Sequence, residues 1–128
     1  GSYDSLSGFL QAAQGIDGFD VLNGPDSLIH QGFVEGCSAC ISGLANVAPE
    51  AINAIWTRFR AGDVEGSRQA QESVTDLRTS LYKIAFSPAA VKKALQVMGE
   101  EVGESRYAVA FDAQQTEQIR QIVTKSLQ

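Results

Sequence analysis

Two short apolar runs, 19-FDVLNG-24 and 39-ACISG-43, constrain this chain more than any other feature. The first mixes aromatic and β-branched residues and closes on Asn23-Gly24-Pro25, a turn signal. The second is nearly uncharged and bounded by glycines, as a fully buried parallel strand would be. Between them, Asp26-Ser27 can cap a helix running to about Glu35, with Leu28, Ile29 and Phe33 inward and Gly36 as its stop. Strand, helix, strand is a βαβ unit, with strands expected at about 19–23 and 39–43. Two strands alone make a poor parallel sheet, which wants more neighbours and cover on both faces. The chain therefore reads as a piece of something larger. Its opening, Gly1-Ser2, looks like the remnant of a cleaved tag and points the same way.

The remainder is helical in pattern. Ser7 to Gln14 forms a short helix with Phe9, Leu10 and Ala13 on one side and Gly15 closing it. Pro49 suits a first helical turn, and Ile52, Ile55, Trp56 and Phe59 follow as an apolar stripe ending at Gly62. From Asp63 a longer helix carries Ala70, Val74, Leu77, Leu81 and Ile84 as a seam. That seam packs against neighbouring helices of the same chain or, alternatively, against a partner helix. Ser87-Pro88 reads as an N-cap with a following proline, and Val91, Ala94, Leu95 and Met98 line the next helix up to Gly99. Asp112-Ala113-Gln114-Gln115 resembles a capping box, ahead of a final helix with Ile119, Ile122, Val123 and Leu127 on one face. The expected division is 1–62 for the βα part and 63–128 for a helical extension.

Charge narrows the partners. A net charge of −5 with scattered basic residues argues against nucleic acid, because phosphate contacts need clustered Lys and Arg. No apolar run approaches the ~18 residues of a membrane span, so no membrane partner is expected. No basic, then apolar, leader opens the chain, and two cysteines without one fit a reducing cytoplasm.

Once these elements are placed, 22-LNGPDSLIHQGFVEGCSACISGLANVAPEAI-52 resembles the seventh and eighth βα units of the dihydrodipicolinate synthase and N-acetylneuraminate lyase family. The matching residues are Gly24, Asp26, Gly36, Ile41, Ser42, Ala45, Asn46, Val47 and Pro49, and 87-SPAAVKKAL-95 is similar to a helix start in the family's tail. The tail departs from the pattern at 106-RYAVAF-111, where members often have a proline-rich turn. The resemblance implies an α/β fragment, mostly helical: the last two βα units of a (β/α)8 TIM barrel plus three C-terminal helices. It also implies a class I lyase or aldolase, in which a lysine forms a Schiff base with pyruvate or another 2-oxo acid. No cofactor or metal is implied.

That lysine ends the sixth strand in the family and often precedes Asp-Ser-Ser-Gly. Here the corresponding stretch is 3-YDSLSG-8, so Tyr3 stands near the lysine's expected place. Either the lysine is replaced or the chain begins just beyond it. No catalytic residue is therefore assigned, and Lys83, Lys92, Lys93 and Lys125 all fall on later helices. Substrate-binding candidates carried over by the resemblance are Ile41, whose backbone carbonyl would face pyruvate, Gly24 and Asp26 after one strand, and Ser42 and Asn46 after the next. The chain alone is expected to be silent and to need a homo-oligomer or a complementing half-barrel. The alternative is a non-enzymatic helical self-association or protein-interaction module built on the seam.

Cys37-Ser38-Ala39-Cys40 has redox or zinc spacing but follows a helix end rather than opening a helix. With His30 the only imidazole, a four-ligand zinc site is not expected. The resemblance makes Cys37 a loop residue and Cys40 a small buried hydrophobe. His30 is expected on a helix surface or interface, with no serine or cysteine nucleophile beside it.

Overall fold

The computed structural model describes residues 2–126; Gly1 and Leu127, both used above, lie outside the described residues. Helix α1 (Tyr3–Ala13) begins four residues earlier than its apolar pattern suggests, because the Ser2 hydroxyl accepts from the Ser5 amide and caps it. Strand β1 (Leu22–Asn23) leads into a 3-10 turn (Asp26–Leu28) and helix α2 (Ile29–Glu35). Gly36, at φ 107°, ends α2 by donating to the Gly32 and Phe33 carbonyls, a geometry that favours glycine. Strand β2 (Ala39–Cys40) then pairs parallel to β1, Leu22 opposite Ala39 and Asn23 opposite Cys40.

Both strands are shorter than expected. Ladder-type bonds extend only one residue beyond each: Ser38 donates to the Val21 carbonyl and Ile41 to the Asn23 carbonyl. The physical reason is the two-stranded sheet, in which, among the described residues, each strand has one neighbour and its outer edge has none. The expectation of a fully buried second strand is corrected too. Alternation puts Asn23 and Cys40 on the face that α2 covers, and Leu22, Ala39 and Ile41 on the other. That other face is bare: Leu22 is 46% exposed and Ile41 70%.

The helices close the core. A 3-10 turn (Leu44–Asn46) precedes α3 (Pro49–Arg60), followed by α4 (Val64–Tyr82), α5 (Ser87–Val97) and α6 (Ala113–Ser126). Asp63 caps α4 through the Gly66 amide. Ile52 and Ile55 are buried, and Trp56 and Phe59 close around Phe33 with ring centroids 4.8 and 5.7 Å from it. Val74, Leu77 and Leu81 of the α4 seam are buried in the same core as Ile55, Ile119 and Val123. The seam is thus occupied by the chain's own helices, the first of the two readings, and the alternative partner-helix surface is not free. The reciprocal Asp112–Gln115 cap of α6 forms as read: each backbone N–H donates to the other's side chain.

Helix α5 differs in detail. Ser87 lies inside the helix and makes no capping bond; Phe86 holds the cap position, while Pro88 sits in the first turn, where its missing N–H costs nothing. The face it buries carries Ala89, Ala90 and Ala94, with Met98 beyond its end and exposed. Small residues let α5 approach closely, which an apolar-stripe reading passes over.

Candidate functional site

Parallel strands end on one rim, and the turns after β1 and β2 meet there. Asn23 closes β1 with its amide Nδ2 donating to the Pro25 carbonyl at 2.9 Å. This aims the next residue, Asp26, inward, where it is only 7% exposed. After β2, the Ser42 hydroxyl donates to Asp26 Oδ1 at 2.5 Å and accepts from the Ala45 amide at 3.1 Å. One carboxylate thus ties the two rim turns together. On its other oxygen it accepts from the Tyr82 hydroxyl at 3.3 Å, at the end of α4. Burial, and then the negative Asp26 beside it, push the Tyr82 phenol up to about 12.

A second side chain of α4 reaches the same turn. Gln71 Nε2 donates to the Asp26 carbonyl at 2.9 Å, and Gln71 Oε1 accepts from the His30 amide at 3.0 Å. The Gln71 amide thereby satisfies one backbone carbonyl and one backbone N–H at the start of α2, which has no side-chain cap of its own.

The residues singled out from sequence fall in four places. Asp26 and Ser42 are in direct contact. Gly24 and Ile41 sit on the adjacent strand ends; the Ile41 amide donates to the Asn23 carbonyl at 2.8 Å, and none of the hydrogen bonds among the described residues ends on the Ile41 carbonyl. Asn46 is exposed, and its Nδ2 turns back to the Gly43 carbonyl at 3.0 Å. Tyr3 is elsewhere. Its hydroxyl donates to Glu35 Oε1 at 3.1 Å. Glu35 ends α2, which has carried the chain back to the start of β2, so the Tyr3 hydroxyl lies at that end of α2, away from the Asp26–Ser42 contact. The hydrogen bond to Glu35, and then its charge, raise the Tyr3 phenol pKa. Among the lysines, Lys92 donates to the Glu104 carbonyl, Lys93 lies over the Phe111 ring, and Lys83 and Lys125 line grooves beside α6.

Cys37 lies in the loop after α2, as expected, yet it is the more buried of the two, packed towards Gly32, while Cys40 on β2 is half-buried. Burial raises both thiol pKa values, for Cys40 with the help of Asp26, so neither is a poised thiolate. Among the described residues no three His, Cys, Asp or Glu side chains gather as a metal site would require.

His30 also departs from expectation, since a serine does stand beside it. His30 Nδ1 and Ser67 Oγ are 2.9 Å apart. The Ser67 hydroxyl already donates to the Ile55 carbonyl at 2.9 Å, so His30 gives a proton to this bond and does not take one. Burial, then Arg68, lower the His30 pKa. The pair tethers α2 to α4 and lacks the polarity of a base and nucleophile.

Sequence reasoning missed Asn23, Gln71 and Tyr82. Gln71 and Tyr82 each lie one position after an apolar seam residue, Ala70 and Leu81. A polar group hugging a buried seam was the available signal.

Comparison with known proteins accords with this geometry. The pattern of the dihydrodipicolinate synthetase family matches residues 4–126. The 4-hydroxy-tetrahydrodipicolinate synthase of Archaeoglobus fulgidus is 34% identical over 113 residues, covering 88% of this chain and 38% of that one. Among solved structures, KD(P)GA from T. tenax superposes with a TM-score of 0.83 at 28% identity, over 98% of this chain and 44% of that one. The dihydrodipicolinate synthase of Thermotoga maritima gives 0.84 at 25% identity, over 96% and 42%. The chain spans less than half the length of these relatives. Two parallel strands and their helices are a partial (β/α)8 barrel, and the helices that follow are additional to it.

Proposed function

The chain belongs to the dihydrodipicolinate synthetase family of class I Schiff-base lyases and aldolases, and from that premise we propose that it is the C-terminal part of such an enzyme, acting on pyruvate or another 2-oxo acid. Residues 1–62 would supply the seventh and eighth βα units and 63–128 the helical extension. The observation that carries the reading is the Asp26–Ser42 contact, which brings the two rim turns together at the C-terminal ends of parallel strands. Barrel enzymes place their chemistry at that rim.

In this reading the amine of a lysine outside this chain condenses with the ketone of the oxo acid and releases water. The protonated imine then accepts the electron pair of the carbon–carbon bond that breaks, or stabilises the carbanion equivalent that forms a new one. This chain's part is to bind and orient. The Ile41 carbonyl faces the oxo acid, Gly24 lets the backbone come close, and Asn46 edges the pocket. Asp26 and Ser42 set the shape of the rim. Which aldehyde is made or consumed depends on residues of the missing half. The remaining strands come from a complementing half-barrel or from a second copy.

The test is intact mass after incubation with pyruvate and borohydride, on this chain alone and mixed with a half-barrel that carries the Schiff-base lysine. The expected result is no adduct on this chain, and an adduct on the complement's lysine only in the mixture. An adduct on Lys83, Lys92, Lys93 or Lys125 would overturn the claim that this half is silent. A folded mixture with no adduct would overturn the assignment as a whole.

A further inference from the structure

We propose that Tyr82 is a positioning residue, through which the helical extension sets the geometry of the rim turns. Its consequence for catalysis rests on the reading of that rim as a 2-oxo acid pocket; the coupling itself does not. Asp26 is the hub. It holds Ser42 on Oδ1 and Tyr82 on Oδ2, and no other hydrogen bond among the described residues reaches its carboxylate. Ser42 in turn accepts from Ala45 and so shapes the turn that follows Ile41. The order of contacts is Tyr82, Asp26, Ser42, Ala45, reaching from the end of α4 to the residues flanking the Ile41 carbonyl.

The position of Tyr82 is itself constrained. A Cβ placed at Gly43 would stand 3.5 Å from the Tyr82 hydroxyl and 3.9 Å from Asp26 Oδ2. The hydroxyl therefore lies directly over the β2 turn. Arg78 stacks over the ring face, its guanidinium 5.6 Å from the ring centre. Gln71, earlier on the same helix, grips the same turn at the Asp26 carbonyl. Two side chains of one helix thus hold both the backbone and the carboxylate of Asp26. This gives an added helix, outside the barrel proper, a lever on the barrel's rim.

Two measurements on this chain test the coupling without any substrate. The first is the titration of Tyr82, followed by NMR of a ring-carbon label and assigned with Y82F. D26N should bring its midpoint down from about 12 part of the way towards the ordinary phenol value, since burial remains when the charge is gone. The second is amide hydrogen exchange in Y82F, which keeps the ring and removes the hydroxyl. Exchange at Ala45 and Ile41 should quicken roughly 3- to 10-fold, the loss of one hydrogen bond, with α3 and α6 unchanged. An unshifted Tyr82 midpoint in D26N would overturn the proposal. So would unchanged exchange at Ala45 and Ile41, or a uniform rise across the chain, which would mark Tyr82 as a fold-stabilising residue only. If the rim binds no oxo acid, these readouts stand and only the borohydride adduct is lost.

Discussion

Tyr3 donates to Glu35 at 3.1 Å, and this contact separates Tyr3 from the rim where Asp26 and Ser42 meet. The sequence alignment alone would invite the substitution Tyr3→Lys to restore an imine-forming amine. The geometry predicts that it fails in this chain. A lysine there meets the Glu35 carboxylate at the far end of α2 and gains only a solvent-screened surface ion pair. Y3K treated with pyruvate and borohydride should show the same mass as the untreated chain. A reduced adduct on position 3 would show that α1 can swing to the Asp26–Ser42 rim.

Tyr82 makes the chain sensitive to alkali. Its folded-state pKa, about 12, is above the ordinary phenol value near 10, through burial first and Asp26 second. A group whose pKa is raised on folding contributes stability that is complete below its unfolded pKa. That contribution is lost as pH rises from about 10 to about 12, because the unfolded chain sheds the proton first. Urea midpoints should therefore fall over that interval more steeply for the parent than for Y82F. Parallel curves for the two proteins would refute the assignment.

Gly32 is a steric requirement. A Cβ at that position would stand 2.9 Å from Asn23 Cβ and 3.5 Å from Cys37 Sγ. Asn23 is 1% exposed and tied to Pro25, so it has nowhere to go. Gly32→Ala would normally help a helix by roughly 0.5–1 kcal/mol. Here overpacking should win, with a net destabilisation of about 1–3 kcal/mol by urea denaturation. A stabilised G32A would mean that α2 can lift off the sheet at little cost.

What was legible in sequence follows the range of each signal. The Asp112–Gln115 cap spans four residues and was readable; so were Gly36 as a stop and the α3 stripe, because each is written within one or two helical turns. The strand lengths were not, since a strand extends only as far as its neighbours allow, and here each has one. Gly24, Asp26, Ile41, Ser42 and Asn46 came from a family resemblance, and only the Asp26–Ser42 pair proved to touch. Tyr82 joins Asp26 across 56 residues and Ser67 joins His30 across 37, distances at which spacing carries no information. The seam of α4 was read well as to residues but left open as to partner, because periodicity states which face is apolar and not what covers it.

His30 and Ser67 give an acid-side counterpart to Tyr82. Ser67 accepts from His30 and donates to Ile55, so Ser67→Ala leaves the His30 ring N–H without its partner and takes the second donor off the Ile55 carbonyl, which keeps its helical bond within α3. The expected cost is about 1–3 kcal/mol. The His30 pKa is lowered on folding, first by burial and next by Arg68. Its contribution is therefore complete above the unfolded value near 6.5 and declines as pH falls from there to the folded pKa. Stability measured from pH 7.5 down to 5 should show this loss in the parent. If H30F falls with the same slope, the decline belongs to other groups.

The bare face of the sheet should govern association. Leu22 and Ile41 lie on the face that no helix among the described residues covers, and Phe9 and Phe19 stand exposed beside the open edge of β1. Unpaired strand edges and contiguous apolar surface both favour contact with another chain. Burying a side chain such as Phe or Ile contributes about 1.5–3 kcal/mol. Phe19→Ser with Ile41→Ser should therefore weaken self-association by at least roughly 10-fold in Kd, since about 1.4 kcal/mol is enough for that. Substitution at Ile41 leaves its backbone carbonyl in place, so rim geometry is retained. Sedimentation velocity across a concentration series reads the change, and a matched double substitution on the polar face of α6, at Gln118 and Gln121, should leave it unaltered. Identical monomeric behaviour of parent and variant would mean that the bare face is not what holds copies together. Equal loss in the α6 variant would move the contact to the helical extension.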